Sequence, residues 1–310
     1  MSQVTQAVLI ALAAAFMFNL ESVAAKAIEG VPIATIVLAR ALGQLAWTVP
    51  ALLRNPARVV RTEHLRLNLF RGLLSGISWF TYFTSFQGLP LATATVLSFS
   101  AVLFVTALAG PVLGEKVGWR RWSATLVGFM GVVAIARPGA VEIGWPVIAA
   151  IISAFLGAAI MLTTKVLSRS ESTQTIMFYI GVVTTAIALP MALPGLAWPG
   201  WWNMLLLLGT ATCGPLAMLF WINAIRRADA SLIAPISYAR LIFATAFGLV
   251  LFNELPDLWL GLGAALIVGS TLYITRREAR LARERAAAAA TAQPPASAAS
   301  SADGASPKSR

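Results

Sequence analysis

Ser98-Phe99-Ser100-Ala101-Val102-Leu103-Phe104-Val105-Thr106-Ala107 and Ser237-Tyr238-Ala239-Arg240-Leu241-Ile242-Phe243-Ala244-Thr245-Ala246 lie 139 residues apart and agree at four of their ten positions. The same shift, without a gap, sets Phe16 on Phe155, Lys26 on Lys165 and Glu115 on Glu254. Matches among Ala and Leu come easily in an apolar chain, but Lys, Glu and Phe at one constant spacing mark an internal repeat. The chain therefore reads as two copies of one unit, 1–138 and 139–275, followed by a tail at 276–310.

The solvent of both units is lipid. Of the 310 residues 58% are hydrophobic and 11% charged, and mean hydropathy is +0.79, a balance no water-soluble core of this size requires. A helix crosses the hydrocarbon with about 20 apolar residues. Ten such runs occur, near 5–27, 32–53, 66–88, 90–113, 120–137, 146–167, 173–193, 201–225, 229–252 and 258–275. The expected fold is an all-α membrane protein of ten transmembrane helices. Each unit holds five spans, an odd number, so the two enter the membrane with opposite polarity as inverted repeats. Such repeats characterise secondary transporters, which expose a midplane site alternately to either side.

Charge agrees with one orientation. With the N-terminus cytoplasmic, the inner loops hold Arg54, Arg58, Arg61, Arg66, Lys116, Arg120, Arg121, Lys165, Arg169, Arg226 and Arg227, and the outer loops only Lys26 and Arg137. Cytoplasmic loops carry such an excess. The net charge of +11 thus reads as orientation, with both termini cytoplasmic in an inner membrane, and no nucleic-acid partner is expected. The first span lacks a basic leader segment and is read as a retained helix. The tail, with Arg276, Arg277, Arg280, Arg283 and Arg285 before an Ala/Ser/Pro-rich end, is expected to be disordered beyond a frayed helical start.

The residues Arg71-Gly72-Leu73-Leu74, Leu89-Pro90-Leu91-Ala92-Thr93-Ala94 and Leu113-Gly114-Glu115-Lys116, with Gly128 and Gly131, resemble the first EamA-type unit of the drug/metabolite transporter superfamily. Ala228-Asp229-Ala230-Ser231, Pro235, Asn253-Glu254, Gly261 and Gly269 are similar to the second. The resemblance covers all but the tail. It implies a ten-helix carrier whose central cavity is lined by inner helices of both units, with the fifth and tenth helices peripheral. Members similar to this chain include amino-acid exporters and importers of riboflavin or S-adenosylmethionine.

Ionisable residues inside spans are costly and mark sites or clamps. Glu21 and Arg40 fall at similar depth in the first two spans, so they read either as a helix clamp or as substrate and coupling groups. Arg240 sits mid-span, and its planar fork suits a carboxylate. Arg71, near a span end, is expected to snorkel to the surface. On the third span Arg71, Ser75, Ser78, Tyr82 and Ser85 recur at helical period with Trp79 beside them, a polar stripe that lipid excludes. Asn19, Ser98, Phe99, Trp221 and Tyr238 complete the expected substrate wall, and Pro235 is read as a hinge. The small-residue faces Ala124, Gly128 and Gly131 and Gly261, Ala265 and Gly269 serve packing within a monomer or, alternatively, a dimer contact.

The lone Cys213 and lone His64 exclude internal disulfides and Cys/His metal clusters, and no cofactor is expected. An intramembrane enzyme needs a metal motif, a Ser/His or Ser/Lys pair or facing aspartates within spans, and none is present; a channel is disfavoured by the repeat. The sequence-based expectation is a carrier of a small organic substrate in the lipid bilayer, an exporter of aromatic or hydrophobic amino acids first, an importer of riboflavin or S-adenosylmethionine second.

Overall fold

The computed structural model describes residues 3–113, 118–136, 144–167, 170–227, 236 and 238–292. Apart from short connections these residues are helical, with no strand among them. In chain order the helices are α1 Gln3–Ala27, α2 Ile33–Ala46, α3 Val49–Arg54, α4 Pro56–Val60, α5 Leu65–Gly88, α6 Leu91–Phe99, α7 Ala101–Leu113, α8 Trp119–Ala136, α9 Trp145–Leu167, α10 Thr173–Ala192, α11 Gly200–Arg227, α12 Ala239–Phe252 and α13 Leu258–Ala292. Among the described residues seven helical segments are long and apolar enough to cross a membrane, and Trp122–Ala136 and Ala239–Phe252 are shorter apolar helices. The 24-residue α5 falls outside the seven because Asn68, Arg71, Ser75, Ser78, Thr81 and Ser85 dilute its apolar run.

Several boundaries differ from the expected runs. The second run breaks at Trp47–Thr48, where Pro50 removes an N–H from the ladder and Thr48 Oγ1 donates to the Leu45 carbonyl at 2.7 Å. The fourth is interrupted at Ser100, whose hydroxyl takes the Leu97 carbonyl at 2.6 Å. In its counterpart in the second unit the described helix α12 starts at Ala239, with Arg240 in its first turn, and Pro235 and the rest of 228–235 lie outside the described residues. The boundary expected at 275 falls inside α13, which runs on to Ala292 because Arg and Ala are strong helix formers. Residues 293–310 lie outside the described residues.

Tertiary packing carries the repeat. The 139-residue shift relates α1 to α9, α2 to α10, α5 to α11, α7 to α12 and α8 to α13. Helix α1 packs along α11 and, correspondingly, α9 along α5; α2 packs on α11 as α10 does on α5; α1 touches α12 as α9 touches α7. Helix α2 meets α10, and α8 meets α13, so these pairs are their own counterparts. Aromatic contacts repeat the rule. Phe16 meets Phe243 edge-on at 5.4 Å and an interplanar angle of 80°, and the shifted pair, Phe155 and Phe104, meets at 5.6 Å and 87°. Each unit therefore packs mainly on the other, and their contact forms the middle of the bundle.

Small residues permit that contact. A Cβ on Gly43 of α2 would strike the backbone of Ala211 in α11. One on Gly131 of α8 would stand 2.8 Å from the Gly263 carbonyl of α13. Close backbone approach of this kind drives helix association where lipid offers no hydrophobic gain. Gly131 and Gly263 are thereby used within the chain, whereas Gly261 and Gly269 face open space.

Candidate functional site

Two arginines meet at the centre of the bundle in different settings. Arg40 of α2 is buried; its Nε donates to Glu21 Oε1 on α1, its Nη1 donates to Gln44 Oε1 at 2.8 Å, and its guanidinium lies 4.3 Å from the centre of the Trp79 ring on α5. Helix α11 closes over the pair at Gly214, where a Cβ would collide with Glu21 Oε1 and Arg40 Nε. The arginine's charge is answered inside this group, although Gln44 Nε2 is buried without a hydrogen-bond partner.

One residue further along α1, the Ser22 and Tyr82 hydroxyls share a hydrogen bond of 2.7 Å. Tyr82 also accepts from Arg240 Nη2 at 3.4 Å, and the Arg240 guanidinium lies 5.0 Å from the Phe18 ring centre. Arg240 Nε is buried without a hydrogen-bond partner. Among the described residues no carboxylate pairs with Arg240. A half-buried guanidinium over one ring face, beside a phenol and with no counter-ion among the described residues, leaves donor capacity unused, which a planar anion fits.

The remaining expected residues separate by neighbourhood. Phe99 and Tyr238 meet edge-on at 5.1 Å, a pair related by the repeat shift, and both lie in the apolar cluster that includes Val132 of α8 and Leu260 and Ile267 of α13. Trp221 packs in a separate cluster with Ala7, Ala11 and Ala224. Asn19 is buried and donates to the Ala15 carbonyl at 2.9 Å, and Ser98 donates to the Thr95 carbonyl at 2.7 Å, so both use their donors on their own helices. Ser78 is buried on the α5 stripe, its carbonyl accepting from Thr81 Oγ1 at 3.0 Å and Ser153 Oγ at 3.4 Å. The stripe faces protein, as the helical period requires.

Arg71 corrects an expectation. It does not snorkel: it is 5% exposed, with Nε donating to Thr164 Oγ1 at 2.8 Å and Nη1 to Ser75 Oγ. The α5–α9 contact covers it, and two hydroxyls replace water. Gln44 and Phe18 were not anticipated. Gln44 stands one turn from Arg40, a spacing that brings side chains together, but Phe18 is indistinguishable in sequence from any lipid-facing Phe.

A second ionic group ties the two units at the opposite ends of α1 and α12 from the chain's start. Lys26 Nζ stands 2.9 Å from Glu254 Oε1 and donates to the Leu89 carbonyl at 2.6 Å, while Glu254 Oε2 accepts from the Leu91 N–H at 2.7 Å. Lys26 thus caps the end of α5, and Glu254 the start of α6. The equivalent residues of the repeat, Lys165 and Glu115, have side chains outside those described.

Relatives agree with this architecture. A protein described as an S-adenosylmethionine uptake transporter, from Rickettsia conorii, is 32% identical over 221 residues, 71% of this chain and 74% of that protein. A riboflavin transporter of Vibrio cholerae is 32% identical over 82% of this chain and 86% of its own length. A pseudopaline exporter of Pseudomonas aeruginosa is 27% identical over 87% and 95%. A solved crystal structure matches with a TM-score of 0.62 and 20% identity over 89% of this chain and 99% of that one, a likeness of fold alone. Residues 5–137 and 144–276 each match the EamA-like transporter family. The chain, a multi-pass membrane transporter carrying this unit twice, belongs to the EamA-like transporter family.

Proposed function

We propose that this protein moves a small zwitterionic metabolite bearing an amino-acid carboxylate and an aromatic ring across the bacterial inner membrane, with S-adenosylmethionine the first candidate and uptake the direction. The observation that carries this reading is the unpaired Arg240 between Phe18 and Tyr82. Arg240 takes the carboxylate. The nearby rings take the aromatic portion and attract a sulfonium through their negative faces. Arg40 and Glu21, already paired, hold α1 to α2 and leave no acidic group free as proton carrier there, which favours a facilitator or exchanger. Support for S-adenosylmethionine and for uptake comes from the names of the Rickettsia relatives. A plain aromatic amino acid, exported, satisfies the same carboxylate and ring contacts and is the second reading.

The ten-span, inverted arrangement belongs to the same proposal. It is supported by helix pairings and aromatic contacts that exchange under the 139-residue shift, and by the loop charges that favour cytoplasmic termini. Alternating access then follows from rocking one unit against the other about the Arg240 region, with the Lys26–Glu254 tie holding one end closed. The chain acts as a monomer, because each unit finds its packing partner within it.

Counterflow in proteoliposomes tests the substrate. Labelled S-adenosylmethionine is expected to exchange with internal S-adenosylmethionine and not with riboflavin, and Arg240→Ala to weaken apparent affinity about 10- to 150-fold, the worth of a hydrogen bond to a charged group. Exchange of tryptophan or phenylalanine alone would select the second reading. Unchanged affinity of every transported compound in Arg240→Ala would remove Arg240 from the site.

A further inference from the structure

At the end of the bundle where α8 begins and the apolar part of α13 ends, four arginines gather. Arg120 of α8 and Arg276, Arg277 and Arg280 of α13 line a pocket of about 700 Å³. Among the described residues the one carboxylate lining it, Glu284, is bonded to Arg280 Nε at 2.8 Å. Four guanidiniums against that carboxylate give the described lining an excess of positive charge, and Arg277 Nη1 is buried with no hydrogen-bond partner. Like charges held together in this way lack an anion.

The pocket does not end at the charges. A groove of about 440 Å³ shares Arg120, Gly269 and Tyr273 with it and continues between α8 and α13 along Ala124, Val127, Ala265 and Leu266. Small residues open this groove: a Cβ added at Gly269 would meet nothing within 4 Å. Trp119, 74% exposed, stands at its rim, a position typical of the level of lipid headgroups. The outward side chains Leu126, Val127 and Met130 of α8 are exposed, as on a face turned to lipid. A cationic cup opening into an apolar furrow matches one molecule with a phosphate at one end and hydrocarbon at the other.

We infer that the α8–α13 groove is a binding site for one anionic phospholipid, its headgroup phosphate held by Arg120, Arg276 and Arg277 and its acyl chains laid in the furrow. Basic pockets between membrane helices recognise anionic headgroups through fixed donors that a zwitterionic headgroup's own cation opposes. The site explains why the small-residue face at Ala265 and Gly269 is not consumed by packing within the chain. Its occupant would brace α8 against α13, the two helices peripheral to the transport path.

Native mass spectrometry of the full chain in detergent, equilibrated with equimolar phosphatidylglycerol and phosphatidylcholine, tests this. One phosphatidylglycerol is expected to be retained at least 10-fold over phosphatidylcholine. The Arg276→Gln/Arg277→Gln pair should abolish that preference, and Arg58→Gln/Arg61→Gln, at a different basic surface, should leave it intact. Gly269→Leu keeps every charge and fills the furrow, so it too should lower retention, independently of whether the double variant folds. Equal retention of both lipids, full retention in Gly269→Leu, displacement by glycerol 3-phosphate as effective as by the whole lipid, or a dimer without lipid would each overturn the assignment.

Discussion

Arg40 and Arg240 are the same residue type in the same bundle, yet one is neutralised and the other is not. Arg40 has a carboxylate, an amide and an indole face, and a glycine on the facing helix that leaves room for all three. Arg240 has a phenol at 3.4 Å, a ring face and an idle Nε. A charge that is paired holds helices together; a charge left short of partners is free to meet a ligand under the proposed function. The difference comes from what neighbouring helices bring, since α1 delivers Glu21 to the first arginine and Phe18 to the second.

The comparison breaks most visibly at the clamp. Arg40→Ala leaves Glu21 buried and uncompensated and is expected to destabilise the fold by about 3–5 kcal/mol, read by thermal unfolding in detergent. Removing both charges together, as Arg40→Met with Glu21→Gln, should cost less than Arg40→Ala alone; an equal or larger loss would show that Arg40 does more than answer Glu21. Gly214→Ala follows, expected to destabilise by about 1–3 kcal/mol because its Cβ must displace Glu21 and Arg40. The smallest effect belongs to the other arginine: Tyr82→Phe removes the hydroxyl shared with Ser22 and Arg240, costing about 0.6 kcal/mol of stability. A change in substrate affinity without that loss of stability would place Tyr82 in contact with substrate.

Lys26 and Glu254 offer a third arrangement, paired like Arg40 but lying between the two units and occupying helix ends on both sides. The repeat shift already singled out both residues. What the shift did not disclose is that they meet each other across the units.

Much of the architecture was legible in the chain. Lipid compels continuous apolar runs, and a duplicated unit keeps identities at one spacing, so Phe16, Phe155, Phe104 and Phe243 marked the repeat, whose fold then joins them as two matching pairs. The polar stripe of α5 was readable for the same reason, because lipid tolerates such a face only against protein. The breaks at Thr48 and Ser100 were less so, since a single hydroxyl bonding back to its own helix leaves no periodic signal.

Tertiary structure alone decided which polar residues are spent. Phe99 and Tyr238 pack with the apolar cluster beside α8 and α13, and Arg71, expected at the surface, is covered by α9. Composition and spacing determined that this is a duplicated membrane protein, because both follow from one chain's own periodicity in lipid. Which arginine keeps an unused donor depends on side chains arriving from helices far away in sequence, Tyr82 to Arg240 being 158 residues apart, and only their packing could assign it.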